Sequence, residues 1–176
     1  MKITSIVKSL RASTAAICVS LMALTIVVSL AQDTLPDGWR KPTAAEAKGA
    51  WRNKSAARFL VVKGDFDGDG HDDLAELLVS DAGNEFALFV RLSSQHNTWQ
   101  SIHGGHVAVA DFGIRLVHSG KRDTLCSDDP SVCAPDTAKS LDLINSAIEF
   151  FTHGEASSIF YWDKAAKRFR AAPMSD

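Results

Sequence analysis

The chain has 176 residues, a formal charge of −2, 45% hydrophobic residues and three cysteines. That length suits one domain with its own core. The mildly acidic balance excludes the basic electrostatic footprint of a nucleic-acid binder, and there is no internal repeat or low-complexity tract.

The N-terminus carries Lys2, Lys8 and Arg11 without an acid, followed by an apolar stretch from Ala15 to Leu30. The stretch ends at Ser29-Leu30-Ala31, with small residues at the −3 and −1 positions, and turns polar at Gln32-Asp33. This is the layout of a secretory signal cleaved after Ala31. The apolar run is slightly short of the ~20 residues that span a bilayer. Bulky Ile17 ahead of Cys18 argues against a lipoprotein signal. The expectation is a signal peptide over 1–31 and a single β-rich domain over 32–176, periplasmic or secreted, with no membrane attachment after cleavage.

Residues 32–42 read as a leader with Pro36, Gly38 and Pro42, from which Trp39 packs on the domain. Thr43-Ala44-Ala45-Glu46 forms a capping box, and the alanines around it favour a short helix to about Arg52. From Phe59 the period changes to two. Phe59–Val62 is apolar and β-branched. Phe86, Leu88, Val90 and Leu92 alternate with Glu85, Ala87, Phe89 and Arg91, and Phe112, Ile114 and Leu116 alternate with Asp111, Gly113 and Arg115. Such alternation marks strands with one buried face. Turns are expected at Asp81–Asn84, Ser93–Asn97 and Gly104-Gly105. Further strands are expected at Leu141–Ile144, Ala147–Phe151 and Ile159–Trp162, with Lys164–Lys167 turning the last hairpin before Phe169. About eight short strands with short links predict a mainly β fold, an antiparallel sheet or sandwich with one short N-terminal helix.

Of the three cysteines, Cys126 and Cys133 lie in the mature domain and bracket a polar, turn-rich stretch. In an exported chain this pair reads as a disulfide. A thiol metal site lacks further Cys or a well-spaced His.

Residues 65–76 match D-x-[DN]-x-[DN]-G-x5-E in full. Calcium takes roughly six to eight oxygens, and carboxylates at alternating positions can converge on one point. Asp65, Asp67 and Asp69 supply the first three, Gly70 the sharp turn, His71 its backbone carbonyl, and Asp73 and Glu76 the remaining carboxylates. With Asp72 these acids crowd one short loop, and like charges so close repel unless a cation neutralises them. Magnesium, with its stricter octahedral demand and retained waters, suits the loop less well than Ca2+.

An EF-hand needs a helix on each side of such a loop, whereas Phe59–Val62 enters here as a strand. Over Lys63–Leu77 the chain resembles the Asp-rich calcium loops of FG-GAP and VCBS-type repeats, in which the loop joins two strands. That resemblance implies Asp73 as a ligand and a different direction for Glu76. The single copy departs from those families, so their multi-bladed propeller does not carry over. A looser resemblance covers most of the mature chain. Leu35–Arg40, the single acidic loop, the short cysteine loop and Ser157–Asp163 look like a family of small exported bacterial proteins of unknown function, which implies an architecture and no activity.

No G-x-S-x-G frame surrounds a serine. His103-Gly104-Gly105-His106 reads as a loop rather than a zinc pair. Tyr161 and Trp162 with Phe160 are candidates for a sugar- or peptide-binding platform; the competing reading is that neighbours in a period-two strand split, one face to the core and one to the rim. The leading expectation is an exported, calcium-binding, non-catalytic module whose partner is an envelope protein or polysaccharide. The alternatives are a periplasmic inhibitor or immunity-type protein against an envelope-acting enzyme and, behind it, a hydrolase using the acidic loop.

Overall fold

The structure, a computed structural model, describes residues 34–129, 131, 133 and 137–174. The expected signal peptide over 1–31 and its cleavage site lie outside the described residues.

The fold is mainly β and antiparallel, as expected. The strands are β1 (Trp39–Arg40), β2 (Val61–Gly64), β3 (Asp73–Ser80), β4 (Phe86–Arg91), β5 (Trp99–Gly105), β6 (Phe112–Val117), β7 (Gly120–Asp123), β8 (Ser140–Leu143), β9 (Ala147–Thr152), β10 (Ser157–Asp163) and β11 (Arg168–Met174). One sheet runs β1-β3-β4-β5, with β2 also paired to β3; a second runs β11-β10-β9-β6; β7 and β8 form a separate hairpin. β1 pairs with Val79 and Ser80, and β2 with Asp73 to Glu76, so the two share one edge of β3 end to end. No helix among the described residues is long and apolar enough to cross a membrane.

The inner faces of the two large sheets share one core. Ala75, Leu77 and Val79 of β3 and Leu88 and Val90 of β4 meet Ile114 of β6, Ile148 and Phe150 of β9 and Phe160 of β10. The outer faces are covered as well. Leu35 and Trp39 of the leader lie on Leu78, Ala87 and Phe89, with the Trp39 and Phe89 rings edge-on at 5.0 Å. Leu141 and Leu143 of β8 cover Val117, Ala147 and Ile159 on the other sheet. The expectation of one buried face for Phe86–Leu92 is corrected accordingly: Ala87 and Phe89, on the outer side, are 3% and 6% exposed. A strand buried on both faces carries apolar residues at successive positions.

The N-terminal helix is also corrected. The capping box forms, with the Thr43 N–H donating to Glu46 Oε2 (2.8 Å) and the Glu46 N–H to Thr43 Oγ1 (3.3 Å). It closes only one turn, Ala47 N–H to Thr43 O at 2.9 Å, before Gly49 leaves helical space at φ 136°. A 3-10 helix, Ala50–Lys54, follows. Its Arg52 is fully buried and donates to the carbonyls of Arg58 (2.9 Å), Val109 (2.9 Å), Ala110 (3.1 Å) and Phe112 (2.6 Å). The residues between the capping box and the first sheet are held by these tertiary bonds rather than by an amphipathic helical stripe.

Cys126 and Cys133 form a disulfide, S–S 2.00 Å with Cα atoms 5.7 Å apart. It starts within a single helical turn, α1 (Leu125–Asp128).

Candidate metal centre

The acidic loop spans residues 65–72 and closes the β2–β3 hairpin, where Gly64 faces Asp73 across the ladder. It therefore joins two strands, not two helices. Phe66 anchors it: the ring is fully buried in the main core. Gly68 and Gly70 have φ of +80° and +87°, a region in which L side chains are strained. At Gly68 a Cβ would also stand 2.6 Å from Asn145 Nδ2, so the loop rests directly on the bend after β8.

Hydrogen bonds fix the direction of each carboxylate. Asp65 accepts the N–H groups of Gly68 (2.7 Å), Asp69 (3.1 Å) and Gly70 (3.0 Å). Asp67 accepts the Asp69 N–H at 3.1 Å and the Ser94 hydroxyl. Asp73, 2% exposed, accepts the Phe66 N–H on one oxygen and the Ser93 N–H on the other, both at 2.8 Å. Burial is the main influence pushing the Asp73 carboxyl above its ordinary value; the Ser93 and Phe66 amides pull it down, and the nearby Asp67 charge raises it.

One ligand oxygen from each of Asp65, Asp67 and Asp73 lies within 4.8 Å of the others. Among the described residues this is the one convergence of three or more acidic, His or Cys ligand atoms. That spacing is about twice a calcium–oxygen distance of ~2.4 Å, so the three could share one hard divalent cation.

The other expected ligands stand differently. Asp69 is outside the convergent trio; its oxygens accept the Ser93 hydroxyl (2.6 Å) and the His71 N–H (2.8 Å), which together hold its carboxyl below the ordinary range. His71 is exposed, and its amide serves Asp69. Glu76 is not brought to the loop. β3 begins at Asp73, and three residues along a strand reverse the side-chain direction. Glu76 therefore lies beside Leu78 on the outer face, 5% exposed, with Oε1 3.4 Å from Lys41 Nζ and Oε2 buried without a hydrogen-bond partner. Ser93 and Ser94, from the 3-10 turn after β4, are site residues that sequence reasoning read only as a turn. Nothing in the local sequence links them to a loop more than twenty residues away.

The two histidines of His103-Gly104-Gly105-His106 are separated. His103 sits half-buried against Phe150 (4.6 Å) and Phe160 (5.3 Å), while His106 is exposed and pairs with Glu85 at 2.9 Å.

The chain matches no protein-family model, and no curated protein or solved structure is significantly similar to it.

Proposed function

We propose that this chain is an exported, calcium-stabilised binding module that carries out no chemistry of its own and attaches to an envelope protein or polysaccharide. One observation carries the reading: Asp65, Asp67 and Asp73 bring oxygens within 4.8 Å of one another in a loop with calcium-type spacing. Carboxylates this close repel, and a shared cation turns the repulsion into cohesion. The strand–loop–strand setting supports an FG-GAP or VCBS-type loop over an EF-hand. Export is supported by the basic-apolar-small layout of residues 2–31, and the Cys126–Cys133 disulfide suits an oxidising compartment.

Calorimetric titration of the purified protein with calcium tests the metal half of this reading. It should give one ion per chain, and Asp67→Ala should abolish the binding heat. Wild-type protein that takes up no calcium at millimolar concentration would sink it.

A further inference from the structure

A cleft of about 530 Å³ opens beside the acidic loop. Its walls are Phe66–Gly68 of that loop, the bend after β8, and the end of β10 with the turn that follows. The volume falls within the ~300–1,000 Å³ typical of small-molecule sites. Ile144, at its lip, is 87% exposed, the most exposed large apolar side chain among the described residues.

The lining combines an aromatic side with scattered polar groups. Trp162, braced edge-on by Phe169 at 5.3 Å, supplies the aromatic wall, while its strand neighbour Tyr161 turns to the opposite face, against the Leu141 and Leu143 cluster. Asp142, Asn145 and Lys164 supply a carboxylate, an amide and an ammonium. Two further carboxylates at the rim are already engaged. Asp163 pairs with Arg170 at 2.5 Å and accepts the N–H groups of Ala165 and Ala166. Asp67 belongs to the acidic trio. With a cation on the trio, what remains is Asp142 against Lys164, a lining without net charge. A phosphorylated or polyanionic ligand finds one ammonium and no cluster of arginines. A polycation finds one free carboxylate. A neutral polyhydroxylated ring matches both halves: its C–H face covers an aromatic ring, and its hydroxyls donate to Asp142 and exchange hydrogen bonds with Asn145 and Lys164.

We propose that this cleft binds a neutral oligosaccharide, with Trp162 against the apolar face of the sugar and Asp142, Asn145 and Lys164 bonded to its hydroxyls. The inference deepens the binding-module reading and rests on it in one respect: cation binding at the loop takes up the Asp67 charge. The loop and the cleft wall are mechanically joined, since Gly68 abuts Asn145 and the Ser146 N–H donates to the Asp65 carbonyl at 3.2 Å.

The test is calorimetry of the full chain in calcium with cello-, malto- and chito-oligosaccharides as neutral probes, and oligomers of glucosamine and of galacturonate as charged comparators. At least one neutral probe should bind. Trp162→Ala and Asp142→Ala should each weaken it about tenfold or more, equivalent to about 1.4 kcal/mol, while Trp51→Ala, in a separate aromatic cluster, leaves it unchanged. Asp142 is exposed on a short hairpin strand, so its variant keeps the test valid if Trp162→Ala does not fold. Absence of heat with every neutral probe, binding confined to a charged comparator, or neutral binding that survives both variants overturns the proposal. A melting temperature measured with and without calcium on the same preparation separates the two readings. A calcium shift without saccharide binding overturns the cleft alone; absence of the shift overturns the loop.

Discussion

Replacing Arg52 with Met should cost the fold about 4 kcal/mol. The side chain is fully buried and bonds four carbonyls, from Arg58, Val109, Ala110 and Phe112. Met keeps most of the aliphatic volume and removes every donor. A hydrogen bond to a charged group contributes about 1.5–3 kcal/mol, so the gross loss is about 6–12 kcal/mol. Against this stands the cost of burying the guanidinium, whose pKa burial pulls down from 12.5 to about 10. A shift of that size corresponds to about 3 kcal/mol recovered when the charge is removed. Partial rehydration of the freed carbonyls lowers the remainder further, to about 4 kcal/mol. At about 3 °C per kcal/mol for a domain of this size, the melting temperature should fall by about 12 °C. Urea denaturation followed by circular dichroism measures it. Arg52→Lys, with fewer donors and no planar fork, should fall between the two. A loss below about 1 kcal/mol for Arg52→Met would refute the idea that this side chain ties the N-terminal segment to the start of β6.

Three further outcomes follow from the same structure. Reducing the Cys126–Cys133 disulfide, or replacing both residues with Ser, should lower stability by about 2.5 kcal/mol through loop-closure entropy; equal melts with and without reductant would count against it. Burial holds the His103 imidazole below its ordinary value, so the unfolded chain binds more protons between that folded pKa and about 6.5. Stability should therefore fall as pH drops from about 6.5 toward the folded value and then level off; His103→Phe should flatten this part of the pH–melting curve, and an unchanged slope would contradict the assignment. Protein recovered from the envelope should have an intact mass beginning at Gln32, and a mass that includes residues 1–31 would refute the cleavage site.

Period-two patterning made β4, β6, β8, β9 and β10 legible because each buries at least one face. β5 was hidden by Gly104-Gly105, which read as a turn. In the structure Gly104 lies within the strand, and a Cβ there would stand 2.8 Å from the Phe86 carbonyl. The glycine serves close approach rather than chain reversal, and composition alone does not separate the two uses. β7 is Gly120-Lys121-Arg122-Asp123, without an apolar residue, and exists only through its ladder with β8. The capping box was legible and forms, but Gly49 and the pull of Arg52 toward Val109 and Phe112 override helix propensity. At the acidic loop, alternation marked Asp65, Asp67 and Asp69 and the motif's ninth position marked Asp73; the structure brings Asp65, Asp67 and Asp73 together and leaves Asp69 outside the trio. The motif's last position, Glu76, lies away from the trio because β3 starts at Asp73, which turns Glu76 to the other face. The contribution of Ser93 and Ser94 depends on how β4 returns beside the loop, and that is a property of the sheet.

The central claim is tested most directly by melting wild-type protein and Asp67→Ala, each with calcium and with chelator. At ~1 mM calcium and a Kd of ~0.1 mM, in the range of extracellular calcium modules, linkage should stabilise the wild type by about 1.4 kcal/mol, or roughly 3–6 °C, if the loop binds the ion as proposed. Asp67→Ala should lose most of that shift, and in chelator it should cost less than in calcium because it relieves repulsion with Asp65 and Asp73. A wild-type melting temperature that is the same in calcium and in chelator contradicts the account at its centre.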